Sequence, residues 1–125
     1  QLNAIKVASF LSKNKKIKIL YPFKKGSLDH RLWKKYYNGA SGLMGLRIKS
    51  SKKKVIKFVN SLKLFGYGYS WGGFESLALH QEIREQGDRS YLNLPKDEHI
   101  VRLHIGLEDP KDLIEDLRRS LKFIK

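Results

Sequence analysis

Residues 100–124 read IVRLHIGLEDPKDLIEDLRRSLKFI, and this stretch predicts a strand followed by a helix. Side chains alternate between the two faces of a strand, so residues 100–105 present two different surfaces. One face carries Val101, Leu103 and Ile105, and the other carries Ile100, Arg102 and His104. If helices cover the valine face, Arg102 projects from the exposed face of a rigid strand.

The helix that follows carries the clearest signals in the chain. Asp109 is a natural N-cap, Pro110 suits the first helical position, and Asp112 lies in the first turn, where the helix dipole favours a carboxylate. The helical spacing then gives one apolar stripe, formed by Leu113, Ile114, Leu117, Leu121 and Ile124. A helix with such a stripe packs its apolar side against a core.

The remaining sequence predicts further helices and strands in alternation. Helices are expected over residues 2–13, 28–37 and 52–62, and strands over residues 16–21, 43–49 and around 76–79. A turn is expected at residues 39–42, and a long loop at residues 81–98, which are polar and contain Gly87 and Pro95. Strands interrupted by helices on short connections indicate an α+β fold, with a small mixed or antiparallel sheet and helices packed on one face.

Composition bounds the function classes. With 125 residues, of which 41% are hydrophobic, the chain is long enough for one domain with a substantial core. Cysteine is absent, which excludes disulfides and thiolate metal sites and is compatible with the cytosol. No apolar run approaches the ~20 residues that a membrane span needs. The four histidines show no metal-ligand spacing, so no metal site is expected.

Positive charge is concentrated in the first half of the chain. The net charge is +14, and residues 1–63 hold 17 basic residues against a single acidic one, Asp29. Clustered lysines are typical of nucleic-acid surfaces, so a basic nucleic-acid-binding module is one alternative. Because no RNA-recognition motif, zinc finger or helix-turn-helix pattern accompanies them, we favour a solvated lysine-rich face.

Arg102 is the first candidate for a functional residue. A guanidinium held on a strand is preorganised for a bidentate contact with a carboxylate or a phosphate. The alternative is that Arg102 faces solvent or pairs with a nearby Asp or Glu. His104 shares the predicted face and could stand near the same ligand. The sequence contains no nucleophile elbow and no convincing catalytic triad.

Residues 66–76, GYGYSWGGFES, form the second candidate site. Four glycines within eight residues permit positive φ and close approach of the backbone to a ligand, and the aromatic side chains beside them would form a pocket wall. The segment lacks the Gly-Lys-Ser/Thr ending of a P-loop, and Trp71 stands where a dinucleotide fingerprint has its third glycine. A ligand-binding loop and an aromatic loop packed on its own sheet both remain open.

Together these segments resemble a known family. Residues 69–77, YSWGGFESL, and 102–109, RLHIGLED, are similar to the C-terminal domain of cystathionine β-lyases, in the Cys/Met-metabolism family of pyridoxal-phosphate (PLP)-dependent enzymes. Residues 3–8, 21–22 and 39–42 also fall where the family has similar residues. Relatives that cleave or replace at Cγ typically read Glu-Ser-Leu-Gly-Gly where this chain reads YSWGG, so the resemblance is to the β-lyase branch.

The resemblance implies a fold and a domain organisation. It implies the small C-terminal domain of fold-type I, aspartate-aminotransferase-like PLP enzymes. Residues 1–14 would be the remnant of an interdomain helix, and residues 15–125 a single small domain. The large cofactor-binding domain would be absent, and helical residues that start without a capping residue agree with a truncated chain.

The resemblance also implies site residues and chemistry. The residue matching Arg102 binds the substrate α-carboxylate in this family, those matching Ser70 and Trp71 line the substrate site, and Tyr69 stands close by. PLP acts there as an electron sink, and cystathionine is cleaved to homocysteine, pyruvate and ammonia in methionine biosynthesis. A relative that cleaves or replaces at Cγ is the alternative.

The family's remaining requirements lie outside these residues. Its Schiff-base lysine stands in a Ser-x-Thr-Lys segment of the large domain, and no such segment occurs here. The resemblance therefore implies that this chain alone is inactive and holds no catalytic or cofactor-binding residue. The expected partners are the large domain of the same protein and an amino-acid substrate, within a cytoplasmic homotetramer.

Overall fold

The computed structural model describes residues 1–27, 29–83 and 93–125. Its centre is a four-stranded antiparallel sheet in the order β1-β2-β4-β3. The strands are β1 (Ile17–Leu20), β2 (Leu43–Lys49), β3 (Leu77–Gln81) and β4 (Glu98–His104). The helices are α1 (Leu2–Leu11), α2 (His30–Tyr36), α3 (Lys52–Asn60) and α4 (Pro110–Ser120), and α4 continues into a 3-10 turn, Leu121–Ile124.

One face of the sheet carries the hydrophobic core. In the β2–β4 pair, Met44 lies opposite Leu103 and Leu46 lies opposite Val101, so these side chains share a face. All four are buried, and they belong to one cluster with the buried residues of α1, α3 and α4. The predicted α+β fold with helices packed on one face is therefore confirmed, and the three pairings among the four strands are antiparallel.

The polar connection between β3 and β4 is shorter than predicted. A loop is expected over residues 81–98, but Gln81 ends β3 opposite Ile100, and Glu98 begins β4 opposite Lys49. The prediction is wrong at both ends because a neighbouring strand offers hydrogen-bond partners that local composition does not reveal. The middle of the predicted loop, residues 84–92, lies outside the described residues.

The α4 helix matches its sequence signals. The Asp109 carboxylate accepts a hydrogen bond from the Lys111 amide at 2.7 Å, and Pro110 is the first helical residue. Leu113, Leu117 and Ile124 are fully buried, as the stripe predicts. Each buried leucine or isoleucine side chain contributes about 1.5–3 kcal/mol of transfer free energy, so this stripe fixes the position of α4.

The α2 helix is attached more loosely, and it contains no buried residue. It is held through Trp33, whose ring meets Phe23 edge-to-face at 4.7 Å between centroids and whose indole N–H donates to the Gly39 carbonyl at 3.0 Å. The helix spans seven residues of the ten expected, and Leu28 lies outside the described residues.

The lysine-rich surface is solvated, as expected. The exposed lysines include Lys13, Lys15, Lys16 and Lys18 around the end of α1 and Lys52, Lys53, Lys54 and Lys57 on α3. None of the helices within the described ranges is both long and apolar enough to cross a membrane.

Candidate functional site

Arg102 lies in the middle of β4, on the face of the sheet opposite the helices. Its neighbours across the sheet are Gly45 on β2 and Leu79 on β3. Arg102 is half-buried rather than fully exposed, because a loop that the sequence singled out lies over this face.

This loop, residues 66–76, is called the glycine–aromatic loop below. It is closed at its base, where the Gly66 amide donates to the Ser76 carbonyl at 2.9 Å. Gly72 has φ +88, a left-handed conformation that favours glycine. A Cβ on Gly73 would overlap the hydroxyl of Ser70, which accepts a hydrogen bond from the Gly73 amide at 3.0 Å. The glycines therefore fold the tip of the loop tightly around Ser70.

The structure brings Arg102 to this tip. A guanidinium N–H of Arg102 donates to the Ser70 carbonyl at 2.8 Å. The guanidinium carbon lies 5.1 Å from the centroid of the Tyr69 ring, within cation–π range. Three of the four predicted site residues thus meet, and these two contacts fix the orientation of the guanidinium plane.

Trp71, the fourth predicted residue, stands next to this contact and points into solvent. Its side chain is 92% exposed, so packing on its own sheet does not explain why a tryptophan occupies this position. Tyr67, Tyr69, Phe74 and Leu107 are also exposed by two thirds or more. We call these five residues the apolar rim, and a concentration of large exposed apolar side chains marks a binding surface.

Arg102 has no acidic partner within residues 1–27, 29–83 and 93–125 that would form an ion pair with it. The alternative in which Arg102 serves a local salt bridge therefore has no support in that part of the chain. A half-buried cation with spare N–H donors beside an open rim can bind a carboxylate or phosphate in bidentate fashion.

His104 serves the loop rather than an open site. Its side chain is only 3% exposed, and its Nε2 lies 2.9 Å from the Gly73 carbonyl, so Nε2 donates its proton to the loop. The expectation that His104 shares a face with Arg102 is confirmed, but the loop covers the histidine. It is therefore not available to a ligand from solvent.

One part of the site, the pair formed by Glu108 and Ser76, has no local signal in the sequence. Glu108 accepts hydrogen bonds from both the amide and the hydroxyl of Ser76, each at 2.7 Å, although the residues are separated by 32 positions. Burial raises the pKa of the Glu108 carboxyl, but the two Ser76 donors, together with the backbone amide of Glu108 and the nearby His104, hold the pKa below its usual value. Only the fold brings this pair together.

Elsewhere, the described residues form no second candidate site as well supported as the one at Arg102. They contain no group of three or more His, Asp or Glu side chains placed to hold a metal ion. A groove of about 510 Å³ lies beside α2, and its lining includes Ile5, Phe23 and Trp33. None of the four predicted site residues lines this groove, so it is separate from the candidate site at Arg102.

Comparison with known proteins places the chain in a family. A family model described as Cys/Met metabolism PLP-dependent enzyme matches residues 1–122. The chain belongs to this family. Family members depend on PLP, and the relatives described below are a lyase, a racemase and a synthase.

Two relatives and one solved structure illustrate the range of activities. The chain is 37% identical to a putative cystathionine beta-lyase from Rhizobium johnstonii, with 94% of this chain and 31% of the relative covered. It is 40% identical to an L-alanine/L-glutamate racemase from Wolbachia pipientis wMel, with 97% and 30% covered. The fold matches a cystathionine gamma synthase from Xanthomonas oryzae pv. oryzae with a TM-score of 0.85 at 26% identity, covering 99% of this chain and 33% of that one. The chain thus spans about a third of these relatives.

None of the four residues at the candidate site is a lysine that could attach the cofactor covalently. The resemblance implies that PLP is attached to a lysine within a Ser-x-Thr-Lys segment, and this sequence contains no threonine. Arg102, Ser70 and Tyr69 offer a cation, a backbone carbonyl and an aromatic ring, which suit an anionic substrate group. No chemical step of the cofactor is therefore assigned to these residues.

Proposed function

We propose that this chain is the C-terminal small domain of a PLP-dependent carbon–sulfur lyase, to which it contributes the substrate carboxylate site. Residues 1–14 are the end of an interdomain helix in this proposal, and residues 15–125 form the small domain. Arg102 binds the α-carboxylate, and Ser70 and Trp71 line the substrate site with Tyr69 beside them. The observation that carries the proposal is the contact of Arg102 with the Ser70 carbonyl under an exposed apolar rim.

The guanidinium is well suited to this role. Its contact with Ser70 uses only one of its five N–H donors, and the Tyr69 ring supports it from one side. The other donors form the planar fork that matches a carboxylate. By holding the carboxylate, Arg102 fixes the orientation of the bonds at the substrate Cα, and such positioning removes part of the entropic barrier to reaction.

The apolar rim supports the view that the site is incomplete in this chain. Trp71 and Tyr67 are exposed by 92% and 80%, which is unusual for such large side chains unless another surface covers them. A large domain of the same protein, carrying the cofactor, is the proposed cover. This agrees with relatives about three times as long as this chain. On its own, the chain is expected to be inactive.

The proposed reaction is cleavage of cystathionine to homocysteine, pyruvate and ammonia, as part of methionine biosynthesis. Residues 69–71, Tyr-Ser-Trp, and the putative cystathionine beta-lyase relative support this choice. A relative that cleaves or replaces at Cγ is the alternative within the family. We further propose a cytoplasmic homotetramer. The family match includes the basic first half of the chain, which leaves little reason for a separate nucleic-acid-binding module.

A racemase is the second candidate, because the relative with 40% identity is named an L-alanine/L-glutamate racemase. Racemisation and elimination both require a fixed α-carboxylate, so Arg102 does not distinguish them. The residues around the substrate side chain would distinguish the two reactions, and in this proposal most of those residues lie outside this chain.

Product analysis on the complete open reading frame tests the proposal. The purified protein is loaded with PLP and incubated with L-cystathionine and, separately, with L-alanine. Pyruvate with homocysteine is the expected result. 2-Oxobutyrate would identify a γ-lyase instead, D-alanine would identify a racemase, and the absence of any PLP-dependent product would overturn the proposal.

A further inference from the structure

Ser76 forms the base of the glycine–aromatic loop. It is 1% exposed, and its carbonyl accepts the Gly66 amide at 2.9 Å, so both ends of the loop meet there. Its own two donors, the amide and the hydroxyl, both go to the Glu108 carboxylate at 2.7 Å. Glu108 therefore determines where the base of the loop lies.

The turn that carries Glu108 is itself held from two sides. The Gly106 amide donates to the Ser76 hydroxyl oxygen at 2.9 Å, and the Leu107 amide donates to the Phe74 carbonyl at 2.9 Å. From α1, the Asn3 side chain donates to the Glu108 carbonyl at 2.9 Å. These hydrogen bonds fix the position of the turn and so of the Glu108 carboxylate. Through its contacts with Ser76, the carboxylate in turn fixes the base of the loop.

The tip of the loop rests on the strand that leads into this turn. Arg102 contacts the Ser70 carbonyl at 2.8 Å, and His104 contacts the Gly73 carbonyl at 2.9 Å. A short loop held at both its tip and its base cannot shift at one end alone. A displaced base would therefore move the Ser70 carbonyl relative to the Arg102 guanidinium.

We propose that Glu108 is a positioning residue for the carboxylate site: through Ser76 it fixes the loop that orients the Arg102 guanidinium. This inference rests on the function proposed for Arg102. The Glu108 carboxylate reaches the loop through Ser76, since each of its oxygens accepts a hydrogen bond from that residue. A carboxylate is required because Ser76 presents two donors, and an amide would replace one of the two acceptors by a donor.

Amide hydrogen exchange on the 125-residue chain tests the effect on the loop. In Glu108→Gln, the amides of Ser76 and Leu107 should exchange about tenfold faster, while the amides of α3 keep their rates. Glu115→Gln is the matched control, since Glu115 is exposed on α4 and pairs with Arg118. Ser76→Ala, which removes only the hydroxyl, is a second variant in case Glu108→Gln folds poorly. Loop exchange equal to that of the control would overturn the proposal.

Steady-state kinetics on the complete reading frame tests the effect on the site. Glu108→Gln and Ser76→Ala should raise KM for the amino-acid substrate about tenfold and change kcat by less than about threefold, since binding geometry is altered and the cofactor is not. A loosened loop with an unchanged KM would show that Glu108 only stabilises the fold, and the proposal would fail. If the wild-type protein converts no amino acid, the proposed function fails, and the exchange measurement alone then decides whether Glu108 anchors the loop.

Discussion

At the scale of single residues, the placement of Arg102 depends on two different kinds of information. The alternation of residues 100–105 predicts the correct face of β4, because the period of two leaves no other choice. The contact with Ser70 spans 32 positions, and local pattern does not reveal it. The family resemblance named both residues, while Glu108 and Ser76 were missed because their pairing depends only on the tertiary fold.

Replacing Arg102 in the complete protein should have a large effect on catalysis. Arg102→Ala is expected to cost about 2–5 kcal/mol in kcat/KM, because in the proposed site the substrate carboxylate loses its cation. Arg102→Lys should recover part of this loss, since the charge stays but the planar fork is lost. Arg118→Ala, on the exposed side of α4, is the control. A near wild-type kcat/KM in Arg102→Ala would contradict the assignment.

At the scale of elements, the predictable parts are those with strong local signals. The cap at Asp109 and the apolar stripe place α4 correctly. The ends of β3 and β4 are not predictable in this way, because Gln81 and Glu98 are polar and join strands only where Ile100 and Lys49 offer partners. Local preference determines which elements form, and neighbouring strands determine how long they are.

Gly106, which follows the end of β4, lies so close to the backbone of the glycine–aromatic loop that there is no space for a side chain. A Cβ there would overlap the Phe74 carbonyl and lie 2.6 Å from a Glu108 carboxylate oxygen. Gly106→Ala should therefore lower the free energy of unfolding by roughly 1–3 kcal/mol, as other overpacked sites do. Urea denaturation measures the change. Gly39→Ala, where the added carbon meets only the end of the Gln1 side chain at 3.4 Å, should be close to neutral. Equal effects of the two substitutions would argue against this packing.

At the scale of the whole molecule, stability should depend on pH through Glu108. Its pKa in the folded chain lies below the usual value, so the stabilisation is fully present above the ordinary glutamate pKa of about 4.3. It is lost as the pH falls from there through the folded pKa. The difference in unfolding free energy between wild type and Glu108→Gln should therefore shrink between pH 5 and pH 3, as followed by urea denaturation in that range. A constant difference would contradict the role of the ionised carboxylate, and Glu115→Gln controls for loss of charge.

Trp71 and Trp33 are the only tryptophans in the sequence, and the structure gives them opposite surroundings. Trp33 is held against Phe23, whereas the indole of Trp71 stands almost entirely in water. The emission of an indole shifts to shorter wavelength when water is removed from it. Trp71 is therefore an intrinsic fluorescent probe of the apolar rim. Its emission maximum should shift to shorter wavelength when another protein surface covers the rim.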